Sequence, residues 1–465
     1  MRYLSTRGQA EQKDFAGVLL AGLAADGGLY MPESWPVFSP AELRALRGLP
    51  YAELAARVIA PFAEGSISFP DLQAMCRRAY AGFAHKATTP LVQVDTSIYA
   101  LELFHGPTLA FKDMALQLVG NLFEHVLAQR GEKVRIVGAT SGDTGSAAIE
   151  AVAGRKNIDI TILHPFGKTS EVQRRQMTTV QAENVLNIAV DGNFDDCQDL
   201  VKAMFADVPF RTEMNLSAVN SINFARIAGQ IPYYVYAALN LGAPDREVAV
   251  SVPTGNFGNI LAAWAAKQMG LPIARFIVAS NRNDILHRFL ADNDMSVHGV
   301  EPSLSPSMDI GVSSNFERLL FEFLGRDAAL TAQTMTDFRT TGKMAVDDKT
   351  WKAIRREFVG FQLSDEDTLK EITRWHRESG YLADPHSVIG LTAARACGPI
   401  GLPVIAAATA HPAKFPDAIE KAVGVRPPLP AHLADLYDRE ERLSRAPNEL
   451  ATIEAMVRAF ANRNI

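Results

Sequence analysis

Lys112 closes the run LELFHGPTLAFKD, residues 101–113, behind small and apolar side chains. Such a setting takes an amine out of water, disfavours the ammonium and leaves a nitrogen able to attack an aldehyde carbon. Taken alone, it reads first as a surface lysine beside Asp113 at a helix start, and the segments downstream shift that reading. Two further segments share another design, an apolar strand that breaks into a Gly-rich turn and opens a helix. In the first, Val134 to Ala139 predict a buried strand, Ser141-Gly142-Asp143-Thr144-Gly145 the turn, and Ser146 onward an Ala-rich helix. In the second, Val248 to Val252 predict the strand, Thr254-Gly255-Asn256-Phe257-Gly258-Asn259 the turn, and Ile260 to Met269 the helix. Glycines let a backbone reach positive φ and approach an anion, and the free amides of a helix start carry about half a positive charge. Each turn is a candidate anion cradle, although singly each also reads as a tight connection with no ligand. An amine nucleophile with two such cradles suits a phosphorylated aldehyde cofactor and an amino-acid substrate.

Other phosphate-binding readings fail on spacing. A dinucleotide fingerprint requires Gly-x-Gly-x-x-Gly, and Thr140 stands where the first glycine should precede Gly142 and Gly145. A P-loop at Gly167-Lys168-Thr169 requires a glycine where the chain has Ile162. Neither a nicotinamide cofactor nor an ATP site follows.

The stretch HGPTLAFKD resembles the cofactor-lysine motif of the threonine synthases, pyridoxal-phosphate enzymes of the fold-type-II, tryptophan-synthase-like group. Tyr3-Leu4-Ser5-Thr6-Arg7-Gly8 and Gly22 through Pro32 are similar to the amino-terminal signature of the longer bacterial and fungal branch. Asp384-Pro385-His386 and Thr409 through Phe415 match further blocks, so the resemblance spans nearly the whole chain. The glycine turns alone would be shared with dehydratases and cysteine synthases.

The resemblance implies that Lys112, with Phe111 beside it, carries pyridoxal 5'-phosphate and then serves as the base for the α, β and γ carbons. It implies that Thr140, Ser141, Gly142, Asp143 and Thr144 hold the substrate carboxylate, and that Gly255, Asn256, Phe257, Gly258 and Asn259 cradle the cofactor phosphate. Thr409 would face the pyridine nitrogen, where a hydroxyl cannot keep the ring fully protonated and so favours elimination over transamination. The implied substrate is O-phospho-L-homoserine, giving L-threonine and phosphate by γ-elimination and β-addition of water. A second phosphate site is then needed, and Lys168, Ser221, Asn223 and Arg226 are its candidates, Arg226 offering a planar fork. Asp143 departs from many fold-type-II relatives, which carry Asn there; an ionised Asp cannot donate to the cofactor's phenolic oxygen. The alternatives are another fold-type-II lyase, namely a threonine or serine dehydratase or a phospho-lyase giving 2-oxobutanoate, and a non-catalytic phosphometabolite-binding protein.

Composition narrows the class. A formal net charge of −6 argues against a nucleic-acid partner. The 465 residues, 48% hydrophobic, suggest two to three domains. Cys76, Cys197 and Cys397 are far apart, so neither a disulfide framework nor a zinc ribbon is expected, and a reducing cytoplasm is. The polar start MRYLSTRGQAEQKD lacks a secretory core, and no apolar run approaches the roughly 20 residues of a membrane span. Ten histidines form no His-Glu-x-x-His pair, so no metal is expected. A monomer or weak homo-oligomer is expected.

The elements that must position these residues read as α/β: two open parallel-sheet halves with a mostly helical N-terminal region. Residues 1–95 are predicted mostly helical, through Tyr51 to Phe62 and Asp71 to Phe83. Residues 96–245 form one α/β half, carrying the lysine and the carboxylate turn, with strands at Val134–Ala139, Ile160–His164 and Val185–Val190. Residues 246–465 form the other, with the phosphate turn, strands at Arg275–Ser280 and Leu402–Ala408, and a charged helical tail from Leu433 to Ala461. Residues 294–350 read as an insertion or mobile segment without defensible chemistry.

Overall fold

A computed structural model describes residues 1–218 and 220–463. The chain forms two compact units, each assembled from separated stretches. The smaller contains Arg78–Ala84, Gly106–Asn220 and Pro428–Ile465; the larger contains Met1–Arg77, His85–His105 and Ser221–Pro427.

The smaller unit is built on a five-stranded parallel sheet in the order Ser444–Pro447, Val185–Asp191, Ile158–Pro165, Val134–Ala139, Leu216–Ser217. Its central strand is buried along its whole length, as a parallel sheet covered on both faces requires. That strand starts two residues before the apolar run because Asp159, buried within it, is paired with Lys133 at 3.1 Å. Helices Lys112–Arg130 and Asp143–Val152 lie close enough that a Cβ on Gly120 would sit 2.1 Å from the Ala151 carbonyl oxygen. Leu163, Ile188 and Val190 pack with Met204, Phe210 and Val457 from the covering helices.

The larger unit holds a six-stranded sheet in the order Phe358–Gln362, Ile273–Ser280, Val248–Pro253, Val404–Ala408, Ile98–Glu102, Leu91–Gln93, parallel except for its last pair. Trp375, Val388, Ile389, Ile277 and Ala406 centre its core. The N-terminal signature forms an antiparallel pair, Tyr3–Ser5 with Tyr30–Pro32, next to a buried ion pair of Arg7 with Glu317 at 2.8 Å.

Strand pairing departs from the three contiguous segments that the sequence suggested. Ile98–Glu102 hydrogen-bonds to Val404–Ala408, which places residues near 100 in the sheet of the later half. Ser444–Pro447 pairs with Val185–Asp191, which places the C-terminal stretch in the unit that contains Lys112. The tail is thus not helical throughout: a strand and the helix Leu450–Arg463 share it. The segment 294–350 is not an insertion outside the fold. It carries helices Phe316–Phe323 and Ala328–Thr341, and Met308, Phe316, Leu319 and Leu320 are buried.

Candidate active site

Lys112 is the first residue of helix Lys112–Arg130, and its side chain is 12% exposed. The motif before it is a folded turn. Thr108 donates from its backbone N–H and its Oγ1 to the fully buried Asp113 carboxylate, at 2.8 and 2.7 Å. Gly106 leaves the space: a Cβ there would lie 2.5 Å from Asp113. Lys112 Nζ stands 3.7 Å from Asp143 Oδ2, with the aspartate 5% exposed.

Asp143 opens helix Asp143–Val152, which has no side-chain cap. Thr140 shapes the turn, its Oγ1 accepting from the N–H groups of Gly142 and Gly145 at 3.0 and 2.9 Å. Ser141 is exposed and Thr144 half-buried. The open question of where Asp143 points has a geometric answer: Gln173 Nε2 donates to its Oδ1 at 2.8 Å while Oδ2 faces Lys112.

In the larger unit the turn at 254–259 leads into helix Gly258–Gln268. Phe257 precedes that helix in the left-handed region, φ +62°, and supplies no side-chain cap, so the first-turn amides are left to a ligand or solvent. Asn259 Oδ1 accepts from the hydroxyls of Tyr233 and Tyr234, which turns its buried Nδ2, without a protein partner, the other way. The segment 305–318 braces this turn. Ser313 Oγ donates to the Gly255 carbonyl at 2.7 Å, and Asn315 donates from Nδ2 to the carbonyls of Asn256 and Ser221 at 2.9 and 3.2 Å. Arg318, with no exposed surface, binds Asn315 Oδ1 and the Tyr30 and Ile222 carbonyls; burial pushes its guanidinium down to about 9. Through Tyr30, the N-terminal signature is tied to the same frame.

Thr409 follows the buried strand Val404–Ala408 and is 5% exposed. Its backbone N–H donates to Ser387 Oγ at 2.9 Å, and Ser387 Oγ donates to Asp384 Oδ1. Asp384 caps helix Pro385–Cys397, and its Oδ2 lies 2.7 Å from His386 Nδ1. His386 Nε2 accepts from the Ser307 N–H at 3.2 Å, so the ring proton sits on Nδ1 and is donated to Asp384. A Cβ on Gly255 would lie 2.9 Å from the Ser307 carbonyl oxygen, so one network reaches both Thr409 and the 254–259 turn.

The four candidates for the second phosphate differ. Arg226 is 5% exposed with Nε and Nη1 lacking partners among the described residues, and burial pushes its guanidinium down to about 10. Ser221 is half-buried and Lys168 exposed, the latter on the turn after strand Ile158–Pro165. Asn223 Oδ1 accepts from the Ala225 N–H at the start of helix Phe224–Ala228, and its Nδ2 donates to the Leu19 carbonyl at 2.8 Å. Both ends of that amide serve the fold.

Residues 2–80 match the family described as threonine synthase N terminus, residues 83–345 the pyridoxal-phosphate dependent enzymes, and residues 387–457 the threonine synthase C-terminal family. The chain is 56% identical to the threonine synthase of Pseudomonas aeruginosa over 465 residues, covering 100% of this chain and 99% of that one. The chain belongs to the threonine synthase family. The crystal structure of PLP-bound threonine synthase from Brucella melitensis superposes with a TM-score of 0.98 at 52% identity, covering 99% of each chain. The yeast threonine synthase structure does so with a TM-score of 0.94 at 37% identity, again over 99% of both.

Pyridoxal phosphate is the cofactor of this threonine synthase family member. The residues present fit it: a mostly buried lysine, an uncapped helix start, and an Asn259 amide nitrogen buried without a protein partner. Sequence reasoning missed Gln173, Ser387, Asn315 and Arg318, each of which has a partner 22 to 288 residues away besides contacts three residues along the chain. A partial signal existed in the Asp384-Pro385-His386 block. Among the described residues no group of His, Cys, Asp or Glu is arranged to hold a metal, and no helix is long and apolar enough to cross a membrane.

Proposed function

We propose that the chain converts O-phospho-L-homoserine and water into L-threonine and inorganic phosphate. Pyridoxal phosphate, when bound, supplies an aldehyde for the substrate amine and an electron sink that acidifies the neighbouring C–H bonds. Lys112 takes the proton from Cα and moves protons at Cβ and Cγ as the Cγ–O bond breaks, phosphate leaves and water adds at Cβ. Asp143, held as a carboxylate acceptor by Gln173, favours the protonated amine each time Lys112 gains a proton. Ser141, Thr144 and the amides of their turn hold the substrate carboxylate, which fixes the direction of the Cα–H bond. Gly255 to Asn259 would hold the cofactor phosphate at a helix start, and the Thr409 hydroxyl would serve the ring nitrogen without fully protonating it.

The observation that carries the choice of a phosphorylated substrate is Arg226, a buried guanidinium with Nε and Nη1 unmatched by any acceptor among the described residues. An unpaired buried cation is costly unless a ligand supplies the counter-charge. Ser221 adds a hydroxyl nearby in sequence and Lys168 a mobile cation. The test is steady-state turnover of O-phospho-L-homoserine by Arg226→Ala and Lys168→Ala. Loss of kcat/KM supports this assignment, and unchanged kcat/KM in both removes it.

Burial pushes the Cys76 thiol up to about 12 and the Cys197 thiol to about 11, which leaves them as unreactive thiols. The three cysteines are free thiols, in keeping with a reducing cytoplasm, and a monomer or weak homo-oligomer is proposed.

A further inference from the structure

We propose that Gln173 is a positioning residue that fixes the Asp143 carboxylate opposite Lys112 Nζ and thereby sets the proton affinity of that lysine. The inference rests on the function proposed above and adds a residue to its site.

Gln173 lies in helix Glu171–Thr178 and is 5% exposed. Its amide is fixed at both ends: Ser170 Oγ donates to Oε1 at 2.8 Å, which leaves Nε2 to donate to Asp143 Oδ1 at 2.8 Å. An amide so held cannot flip, and the Asp143 oxygen it does not bind is the one 3.7 Å from Lys112 Nζ. The facing turn is cut to admit it. Gly142 has φ +149°, and a Cβ there would lie 2.5 Å from Gln173 Cδ and 2.6 Å from Oε1. One turn further along the same helix face, Gln176 Nε2 donates to the Thr108 carbonyl at 3.1 Å, within the motif that ends in Lys112. A single helix therefore indexes both the lysine turn and the aspartate.

The remaining charges on the surrounding elements have partners of their own. Asp113 is bonded to Thr108, Arg175 to Glu171, and Arg174 to Glu441. Glu150, further along the Asp143 helix, feels Arg439. An opposite charge within about 4–6 Å favours the charged form of an amine, by one to three pH units. Losing the bond that aims Asp143 gives back part of that effect.

The test uses Gln173→Met, which keeps volume and removes the donor, and Gln173→Glu, which donates to Asp143 only when protonated. In the full chain freed of cofactor, reductive methylation of Lys112 by formaldehyde is followed against pH by peptide mass spectrometry. The Met variant is expected to lower the Lys112 midpoint by about one pH unit. In the holoenzyme it is expected to reduce kcat roughly tenfold with KM within about twofold. The Glu variant is expected to show the kcat deficit at neutral pH, where two carboxylates repel, and to recover toward acidic pH; its own charge shifts the Lys112 midpoint, so its kcat–pH profile is the readout should the Met variant fail to fold, and a profile without recovery overturns the proposal. An unmoved Lys112 midpoint overturns the proposal, whether or not kcat falls, because a merely structural role would leave it in place. Wild-type enzyme inert toward O-phospho-L-homoserine would instead overturn the functional reading, and the midpoint would still judge Gln173.

Discussion

Arg226 combines burial with missing partners, and that pairing sets stability against function at one residue. Replacing it by Leu removes an uncompensated buried charge, so Arg226→Leu is expected to raise the thermal midpoint of the ligand-free chain. The same change should lower kcat/KM for O-phospho-L-homoserine by about 10²-fold or more, the loss typical of a buried charge pair. Thermal shift with and without inorganic phosphate checks both: phosphate stabilises the wild type and leaves the variant unmoved. At Lys112 the demand is covalent as well as acid–base, and Lys112→Ala should remove the visible absorbance of the bound cofactor and lower kcat about 10³-fold or more. Retained exchange of the substrate α proton in that variant would require another base. Lys112 was legible because its motif is local: Gly106, Thr108 and Asp113 fold around it within eight residues. Gln173 was not, since nothing in its own neighbourhood shows that its amide is aimed at residue 143.

The two strand–turn–helix elements give each cradle its shape, and their glycines make room for buttresses from elsewhere. Gly255 is the sharper case, because the Cβ of an alanine would meet backbone, the Ser307 oxygen at 2.9 Å and Met308 Cα at 3.3 Å. Gly255→Ala should cost about 1–3 kcal/mol by overpacking and weaken pyridoxal-phosphate affinity about tenfold. Equilibrium dialysis and thermal unfolding of that variant check the two effects separately. The strands that sequence periodicity identified are dense in Val and Ile, such as Val134–Ala139 and Val248–Pro253, with Arg135 and Ser251 as their single polar interruptions. Those it missed lack that mark. Ile98–Glu102 alternates with Tyr and Glu, Phe358–Gln362 is interrupted by Gly360, and Ser444–Pro447 is a polar edge strand. The segment 294–350 seemed devoid of chemistry because Asn315 and Arg318 act through carbonyls, which a sequence does not display.

On the scale of the whole chain, each unit collects distant stretches around one sheet, and charges buried in that assembly make stability depend on pH. Burial raises the Glu150 carboxyl above its ordinary value near 4.5, opposed in part by Arg439. The folded chain therefore holds that proton more tightly than the unfolded one, and stability falls as pH rises from the ordinary value through the raised one. Glu150→Gln should increase the thermal midpoint at neutral pH, with the gain disappearing below about pH 4.5. The sequence contained the sheets' strongest strands but not which stretches share a unit, because that is decided by pairings such as Ser444 with Ile188 and Val404 with Ile98. The central claim concerns what the assembled chain makes. Incubating the purified holoenzyme with O-phospho-L-homoserine and separating the products by chromatography tests it most directly. The account predicts L-threonine and inorganic phosphate in equal amounts. Accumulation of 2-oxobutanoate, or of phosphate without threonine, would contradict it.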